Sequence, residues 1–347
     1  MNKILFFDST LRDGSHAVNH KISSADIGDY CREADKAGLH TIIVGHGNGL
    51  GASSLQIGLS AVSDEEMLGS ARQRLKKTKL GAFLIPGFGT IKDNLSNAID
   101  IGVDLVCVAV HCTEADVTRQ HIEYVRNKGK DAYGVMMMQH MASKERLLEE
   151  ALKMQGYGAL GVILMDSAGA SIPAAVSEKV RFLVNSLEIK VGFHAHNNLG
   201  LAIANSYAAI EAGASIIDGT LRGFGAGAGN CQLEVLAGLL HKVGIETGLD
   251  LYKLMDVSED IVSKIMDKPQ EITSISLISG LAGVFSGFAN HVKEASKRFG
   301  VDPRDIFLEL GKRKMVAGQE DFIVDVAMYL AQRKNLNKES YQIESLL

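Results

Sequence analysis

ILFFDSTLRDGSHA, residues 4–17, begins with a short apolar run and ends in a polar, glycine-containing segment that carries Arg12, Asp13 and His16. Four apolar residues without a polar interruption read as a strand buried on both faces. The same two-part unit recurs along the chain. TIIV (41–44) runs into GHGNG, AFLI (82–85) into PGFG, LVCVAV (105–110) into HCTE, and GVMMM (134–138) into QHMAS. GVILM (161–165) then runs into DSAG, VGFH (191–194) into AHNN, and SIID (215–218) into GTLRGFGAGAGN. Eight such units with helical segments between them predict an α/β fold, a closed TIM-type (β/α)8 barrel rather than a doubly wound sheet. The units fill about residues 1–240. Beyond them lie helix-like stretches at 259–267, 280–299, 303–314 and 320–334, with ISLIS (275–279) as the one strand-like run. The expected organisation is a barrel over residues 1–258 and a helical C-terminal domain over 259–347. Active sites of such barrels sit at the C-terminal strand ends, so polar segments concentrated there predict an enzyme.

Composition removes other classes. With 46% hydrophobic and 22% charged residues the 347-residue chain resembles an ordinary globular protein, and no stretch approaches the roughly 18 apolar residues of a membrane span. MNKILFFD is too short an apolar run for a secretory signal, which makes a cytoplasmic location the expectation. A net charge of -5 without a basic block leaves no footprint for nucleic acid. The four cysteines, Cys31, Cys107, Cys112 and Cys231, form no CxxC pair and suggest neither disulfides nor a thiolate metal site.

His194 and His196 stand two apart at the end of the seventh run, where strand geometry points both imidazoles the same way. A bare HxH is more often a pair of hydrogen-bonded structural histidines than a pair of ligands. The barrel favours ligation here, because its layers come from alternate strands and the seventh shares a layer with the first, from which Arg12 and Asp13 emerge. Asp13 then completes a site of two histidines and one carboxylate. Such nitrogen and oxygen donors suit Mn2+, Co2+, Mg2+ or Fe2+, with Zn2+ also open.

Arg12 reads either as one half of a surface ion pair or as a guanidinium held for a developing enolate oxygen, and the second is favoured beside a metal. His16, on the same loop, is the nearest group that exchanges protons near neutral pH and is the expected general base, whereas His20 is expected to be structural. His46, His111 and His140 also end strands and compete for that role. Ser167 offers a hydroxyl to a substrate carboxylate or closes a turn. The glycines of GFGAGAGN are expected to let the eighth loop turn tightly beneath the metal site, and the GxGxxA spacing from Gly47 is expected to be coincidental.

With TLRDGSHA (10–17), VGHGNGLGASS (44–54), MDSAGA (165–170), FHAHNNLGLAIANS (193–206) and GFGAGAGNCQLEVL (223–236), the chain resembles the 4-hydroxy-2-oxovalerate aldolase family. That family lies within the group of metal-dependent barrels that includes hydroxymethylglutaryl-CoA lyase and isopropylmalate synthase. The resemblance implies that Asp13, His194 and His196 hold Mn2+ or a similar ion (Co2+, Mg2+ or Zn2+), which binds pyruvate, a small 2-oxo acid. It further implies that Arg12 stabilises the pyruvate enolate, Ser167 touches the substrate carboxylate, His16 deprotonates the 4-hydroxyl, and Asn230 serves as an outer ligand. An oligomer, and an acylating aldehyde dehydrogenase bound at the C-terminal helices, are the implied partners. One departure concerns GLAGVFSGF (280–288), where the family has a substrate-shaping tyrosine and this chain has Leu281 and Phe285. Phe285 is expected to face the substrate without a hydroxyl. Arg222 either meets a charged acceptor or forms a surface pair.

Three other chemistries compete. A Schiff-base aldolase needs a lysine on a barrel strand, and no proposed strand carries one. A Claisen-type synthase or acyl-CoA lyase would use the same metal and stays open. A non-catalytic barrel subunit does not explain Arg12, Asp13, His16, His194 and His196 together.

Overall fold

Alternation within the apolar runs decides where each side chain goes. Phe7, Ile43, Phe83, Cys107, Val135, Ile163 and Ile216 fill one buried cluster, the barrel interior, while their neighbours Phe6, Ile42, Leu84, Val106, Met136, Leu164 and Ile217 join a second, larger one beneath the helices. With apolar partners on both faces, the strands have no polar side, which explains their uninterrupted hydrophobicity. The computed structural model describes residues 3–316 and 319–344, with side chains in the last helix to residue 334. Eight strands, β1 (Leu5–Asp8), β2 (Thr41–Ile43), β3 (Lys79–Leu84), β4 (Leu105–His111), β5 (Asp131–Met137), β6 (Gly161–Asp166), β7 (Lys190–Ala195) and β8 (Ile216–Gly219), pair in sequence order into a closed barrel. Closure is parallel, with Leu5 opposite Ile216 and Asp8 opposite Gly219. The predicted (β/α)8 barrel is the observed fold.

The helices between strands are α1 (Ser24–Ala34), α2 (Asp64–Arg74), α3 (Ser96–Ile101), α4 (Arg119–Asn127), α5 (Lys144–Gly156), α6 (Pro173–Val184) and α7 (Ala202–Glu211), with α8 (Leu233–Lys242) after β8. Their starts are written locally. Ser23 and Ser63 close capping boxes with Asp26 and Glu66, and Pro173 occupies the first turn of α6, where a missing N–H costs nothing.

The chain continues through α9 (Leu251–Val257), a π-turn at Ser258–Val262, and α10 (Ser263–Ile265) to α11 (Ser274–Ala282), α12 (Ala289–Phe299), α13 (Pro303–Lys312) and α14 (Phe322–Glu344). Val284, Phe288, Val292, Ile306, Phe307, Leu310, Ile323 and Val326 form a cluster of their own among these helices. ISLIS is not a strand but the body of α11, because Thr273 and Ser276 make a capping box and no sheet edge is available to pair with it. The helix expected over 280–299 is broken by Gly283, whose left-handed backbone ends α11. Residues 1–2, 317–318 and 345–347 of the two expected domains lie outside the described residues. Among the described residues no helix is long and apolar enough to cross a membrane, and all four cysteines are buried and free.

Candidate active site

The loop after β1 is stapled before it delivers its functional groups. Asp8, at the strand end, accepts hydrogen bonds from the Thr10 N–H at 2.9 Å, the Thr10 hydroxyl and the Tyr30 hydroxyl. Burial pushes the Asp8 pKa up to about 6 against the pull of those bonds. Thr10 in turn accepts from the Leu221 N–H at 2.8 Å, tying this loop to the one after β8. Held between them, Arg12 and Asp13 are both buried and paired at 2.8 Å. The surface ion pair is thereby excluded. Arg12 also donates to Ser9 Oγ at 3.2 Å and lies 4.5 Å over the Phe83 ring, so its fork has one orientation.

His194 and Asp218 face each other across β7 and β8. The Asp218 carboxylate accepts from His194 Nδ1 at 2.8 Å and from the Ser9 hydroxyl at 2.8 Å. With its proton on Nδ1, His194 presents the lone pair of Nε2, which is buried and has no protein partner. Ligand atoms of Asp13, His194 and His196 all lie within 4.8 Å of one another. Burial, opposed by Asp13, pushes the His196 pKa down to about 4 and leaves a neutral imidazole at neutral pH. Burial alone would raise Asp13, but the Arg12 guanidinium outweighs it, followed by His196, His16 and His194, and holds the carboxyl well below the usual carboxylate range. One carboxylate and two imidazoles, one of them with an orphaned buried nitrogen, form a donor set that fits a divalent cation.

Asn230 lies opposite His196 in a short bridge that extends β7. Its amide donates to Asp13 Oδ2 at 2.6 Å, and its Oδ1 is buried without a partner. The loop after β8 passes so close that a Cβ on Gly225 would collide with both Asn230 Nδ2 and Asp13 Oδ2, and the next N–H, from Ala226, donates to Asp13 at 3.1 Å. The turn expected of GFGAGAGN is therefore a collar around Asp13. His16 is half-buried on the wall of a cavity of about 390 Å³ that also touches Asn198, Phe224, Gly227, Ser276 and Ser286. Burial, then Arg12, pushes its pKa down, while Asp13 and a backbone hydrogen bond with Gly47 oppose the shift.

The remaining candidates separate clearly. Ser167 is buried and its oxygen accepts from the Met138 N–H at 3.1 Å, which holds the loop after β5 and leaves the hydroxyl proton to donate. His20 stacks on His46 with ring centroids 3.6 Å apart and bonds Ser15, the structural role expected of it. His111 bonds Thr113 and His140 bonds the Gly283 carbonyl, so both have partners outside the ligand group. Phe285 packs edge-on against Phe288 in the C-terminal cluster and does not line the cavity, whereas the next two residues, Ser286 and Gly287, do. A benzyl side chain gains more from that cluster than from a polar wall. The Arg222 backbone N–H donates to Glu234 at 2.9 Å on the loop after β8. Asp218 and Ser9 were not singled out from the sequence; the available signal was a carboxylate closing SIID at a strand end.

A barrel of eight parallel strands with one carboxylate and two imidazoles grouped at its C-terminal mouth defines a metal-binding (β/α)8 enzyme. The chain belongs to the HMGL-like family, whose model matches residues 3–261, and within it to the 4-hydroxy-2-oxovalerate aldolase family. A DmpG-like communication domain matches residues 270–332. The chain is 52% identical over 340 residues to the 4-hydroxy-2-oxovalerate aldolase of Pectobacterium atrosepticum, covering 98% of this chain and 99% of that one. It is 53% identical over 332 residues to that of Spirochaeta aurantia, covering 96% and 97%. Among solved structures, the carboxyl transferase domain of Rhizobium etli pyruvate carboxylase superposes with a TM-score of 0.79 at 18% identity, covering 96% of this chain and 61% of that one, a likeness of fold.

Proposed function

We infer that this chain is a divalent-metal-dependent aldolase that cleaves a 4-hydroxy-2-oxo acid, 4-hydroxy-2-oxovalerate or a close analogue, to pyruvate and an aldehyde. The observation that carries the reading is the buried, unpartnered Nε2 of His194, grouped with His196 and Asp13 beside the Arg12 guanidinium. Relatives at about half identity over nearly the whole chain support the substrate class.

Asp13, His194 and His196 would hold the ion, Mn2+ by preference with Co2+, Mg2+ or Zn2+ as alternatives, and bound there it would supply a Lewis acid for the 2-oxo group. Arg12 stabilises the negative charge that grows on the 2-oxo oxygen as the C3–C4 bond breaks. His16, neutral because burial lowers its pKa, takes the 4-hydroxyl proton. The O–H electron pair becomes the second bond of the aldehyde carbonyl, and the C3–C4 pair passes to the three-carbon fragment as an enolate, which takes a proton at C3 to give pyruvate. Ser167 donates a hydrogen bond from its hydroxyl to the substrate carboxylate, and Asn230 holds Asp13 in place through its amide. Phe285 contributes packing beside the cavity wall.

The catalytic domain spans 1–258 and the helical domain 259–347 on this reading. The communication-domain match over 270–332 supports docking of an acylating aldehyde dehydrogenase on the C-terminal helices, within an oligomer in the cytoplasm. The test is a panel of 4-hydroxy-2-oxo acids assayed for pyruvate release with Mn2+, beside acyl-CoA plus 2-oxo acid assayed for free thiol. Pyruvate release supports the aldolase; free thiol without pyruvate would replace it with a Claisen-type enzyme.

A further inference from the structure

The C-terminal helices meet the barrel mouth through side chains rather than through the apolar cores. Gln270 donates to the Gly225 carbonyl at 3.2 Å, and His140 bonds the Gly283 carbonyl at 3.0 Å. The most buried of these contacts belongs to Asn198, two residues beyond the ligand candidate His196. Its amide donates to the Ser276 carbonyl at 3.0 Å and to Ser286 Oγ at 2.9 Å.

That pair of bonds fixes the direction of a proton. The Ser276 carbonyl only accepts, so the Asn198 amide nitrogen must face it, and both amide hydrogens are then spent on the C-terminal segment. Ser286 therefore receives a hydrogen bond at its oxygen and must turn its own O–H elsewhere. Among the described residues no acceptor for that O–H is found, although Ser286 is buried and lines the same cavity as His16. Asn198 Oδ1, also on that wall, is buried and unpartnered. The wall thus presents an unspent donor beside an unspent acceptor, and burying such groups without a polar occupant is costly. Gly227 packs closely against this pair of groups. With φ at +63° it suits glycine, and a Cβ there would sit 2.8 Å from Ser286 Oγ. Its neighbour Ala226 is the residue whose N–H holds Asp13, which puts Ser286 and Asn198 beside the collar of the ligand group.

Building on the aldolase reading, we propose that Ser286 is a further catalytic residue: its hydroxyl donates a hydrogen bond to the C4 oxygen of the substrate. Asn198 is its positioning residue, because it orients that hydroxyl. The C4 oxygen has two lone pairs and one hydrogen, so it accepts from Ser286 while giving its proton to His16. As the proton leaves, negative charge builds on this oxygen before the C3–C4 bond breaks and the carbonyl forms. A donor already aimed at it, with its own oxygen polarised by Asn198, stabilises that charge more than it stabilises the neutral ground state. Enolisation of pyruvate alone involves no C4 oxygen and does not need this bond.

The experiment uses the full-length Mn2+-loaded enzyme and two reactions: cleavage of 4-hydroxy-2-oxopentanoate, followed by pyruvate release, and exchange of the pyruvate methyl protons in D2O, followed by NMR. S286A should lower kcat for cleavage about tenfold while exchange stays within about twofold of the unaltered protein. Ser286→Cys, which preserves shape but donates weakly, should fall with it, and Asn198→Ala should show the same split. Cleavage at the original rate in either Ser286 variant would overturn the proposal, as would an equal fall in both reactions, which marks a merely structural role. Absence of pyruvate release by the unaltered protein would instead sink the aldolase reading.

Discussion

Asp218 sets the tautomer of His194 by accepting a hydrogen bond from its Nδ1–H, and Ser9 holds Asp218 from the other side. Asp218→Asn should weaken metal binding by roughly 10–100-fold, the usual cost of losing a partner behind a histidine ligand, with little change in thermal unfolding of the metal-free protein. Titration with Mn2+ monitored by electron paramagnetic resonance measures it; unchanged affinity would mean that the tautomer is fixed otherwise. Arg12→Lys keeps the charge but loses the fork that Ser9 and Asp13 orient, so kcat should fall far more than KM rises. Both constants can be read from pyruvate release, and an unaltered kcat would remove Arg12 from the mechanism. A third consequence concerns pH. Burial pushes the His46 pKa down to about 4, so folded His46 stays neutral while the unfolded chain takes up a proton below about 6.5. Between these values the unfolded state binds more protons, and stability falls as pH falls, by up to about 1.4 kcal/mol per pH unit for one proton. His46→Gln should flatten this slope in urea unfolding at pH 7, 6 and 5; an identical slope would assign the acid lability to other groups.

At the scale of elements, Thr273 and Ser276 start α11, and Thr273→Ala should remove about 1 kcal/mol, visible as a lower urea midpoint at an unchanged slope. No shift would mean that packing alone holds this end. The same helix marks where sequence reading stops. ISLIS carries β-branched residues at strand-like density, and only the contact partners decide between strand and helix: the barrel is already closed, so a ninth strand has no edge to join. The barrel strands were legible because burial on both faces leaves an unbroken apolar run. Arg12, Asp13, His194 and His196 were legible because strand ends at one barrel mouth must converge. Asp218 looked like the last residue of an apolar run, and its partnership with His194 depends on the register between β7 and β8, which periodicity does not encode. Phe285 failed as a wall residue for a related reason. Its neighbour Ser286 faces the cavity, and the side taken after the Gly283 turn is a matter of tertiary packing.

For the whole molecule, the barrel carries the ligand group and the C-terminal segment closes one side of the cavity at Asn198 and Gln270, with His140 tying the Gly283 turn to the barrel. The arrangement concentrates unsatisfied polar atoms, among them His194 Nε2, His196 Nδ1, Asn198 Oδ1 and Asn230 Oδ1, in one buried region where each would otherwise cost stability. A bound cation and substrate would offset part of that cost, which ties folding, metal and activity to the same few residues. The most direct measurement is pyruvate release from 4-hydroxy-2-oxopentanoate by protein stripped with a chelator and then reconstituted, with metal content determined on the same samples. The account predicts loss of turnover on stripping, recovery with Mn2+ at about one ion per chain, and no recovery in His196→Ala. Full turnover by the metal-free protein, or restoration of His196→Ala at the same Mn2+ concentration, would contradict it.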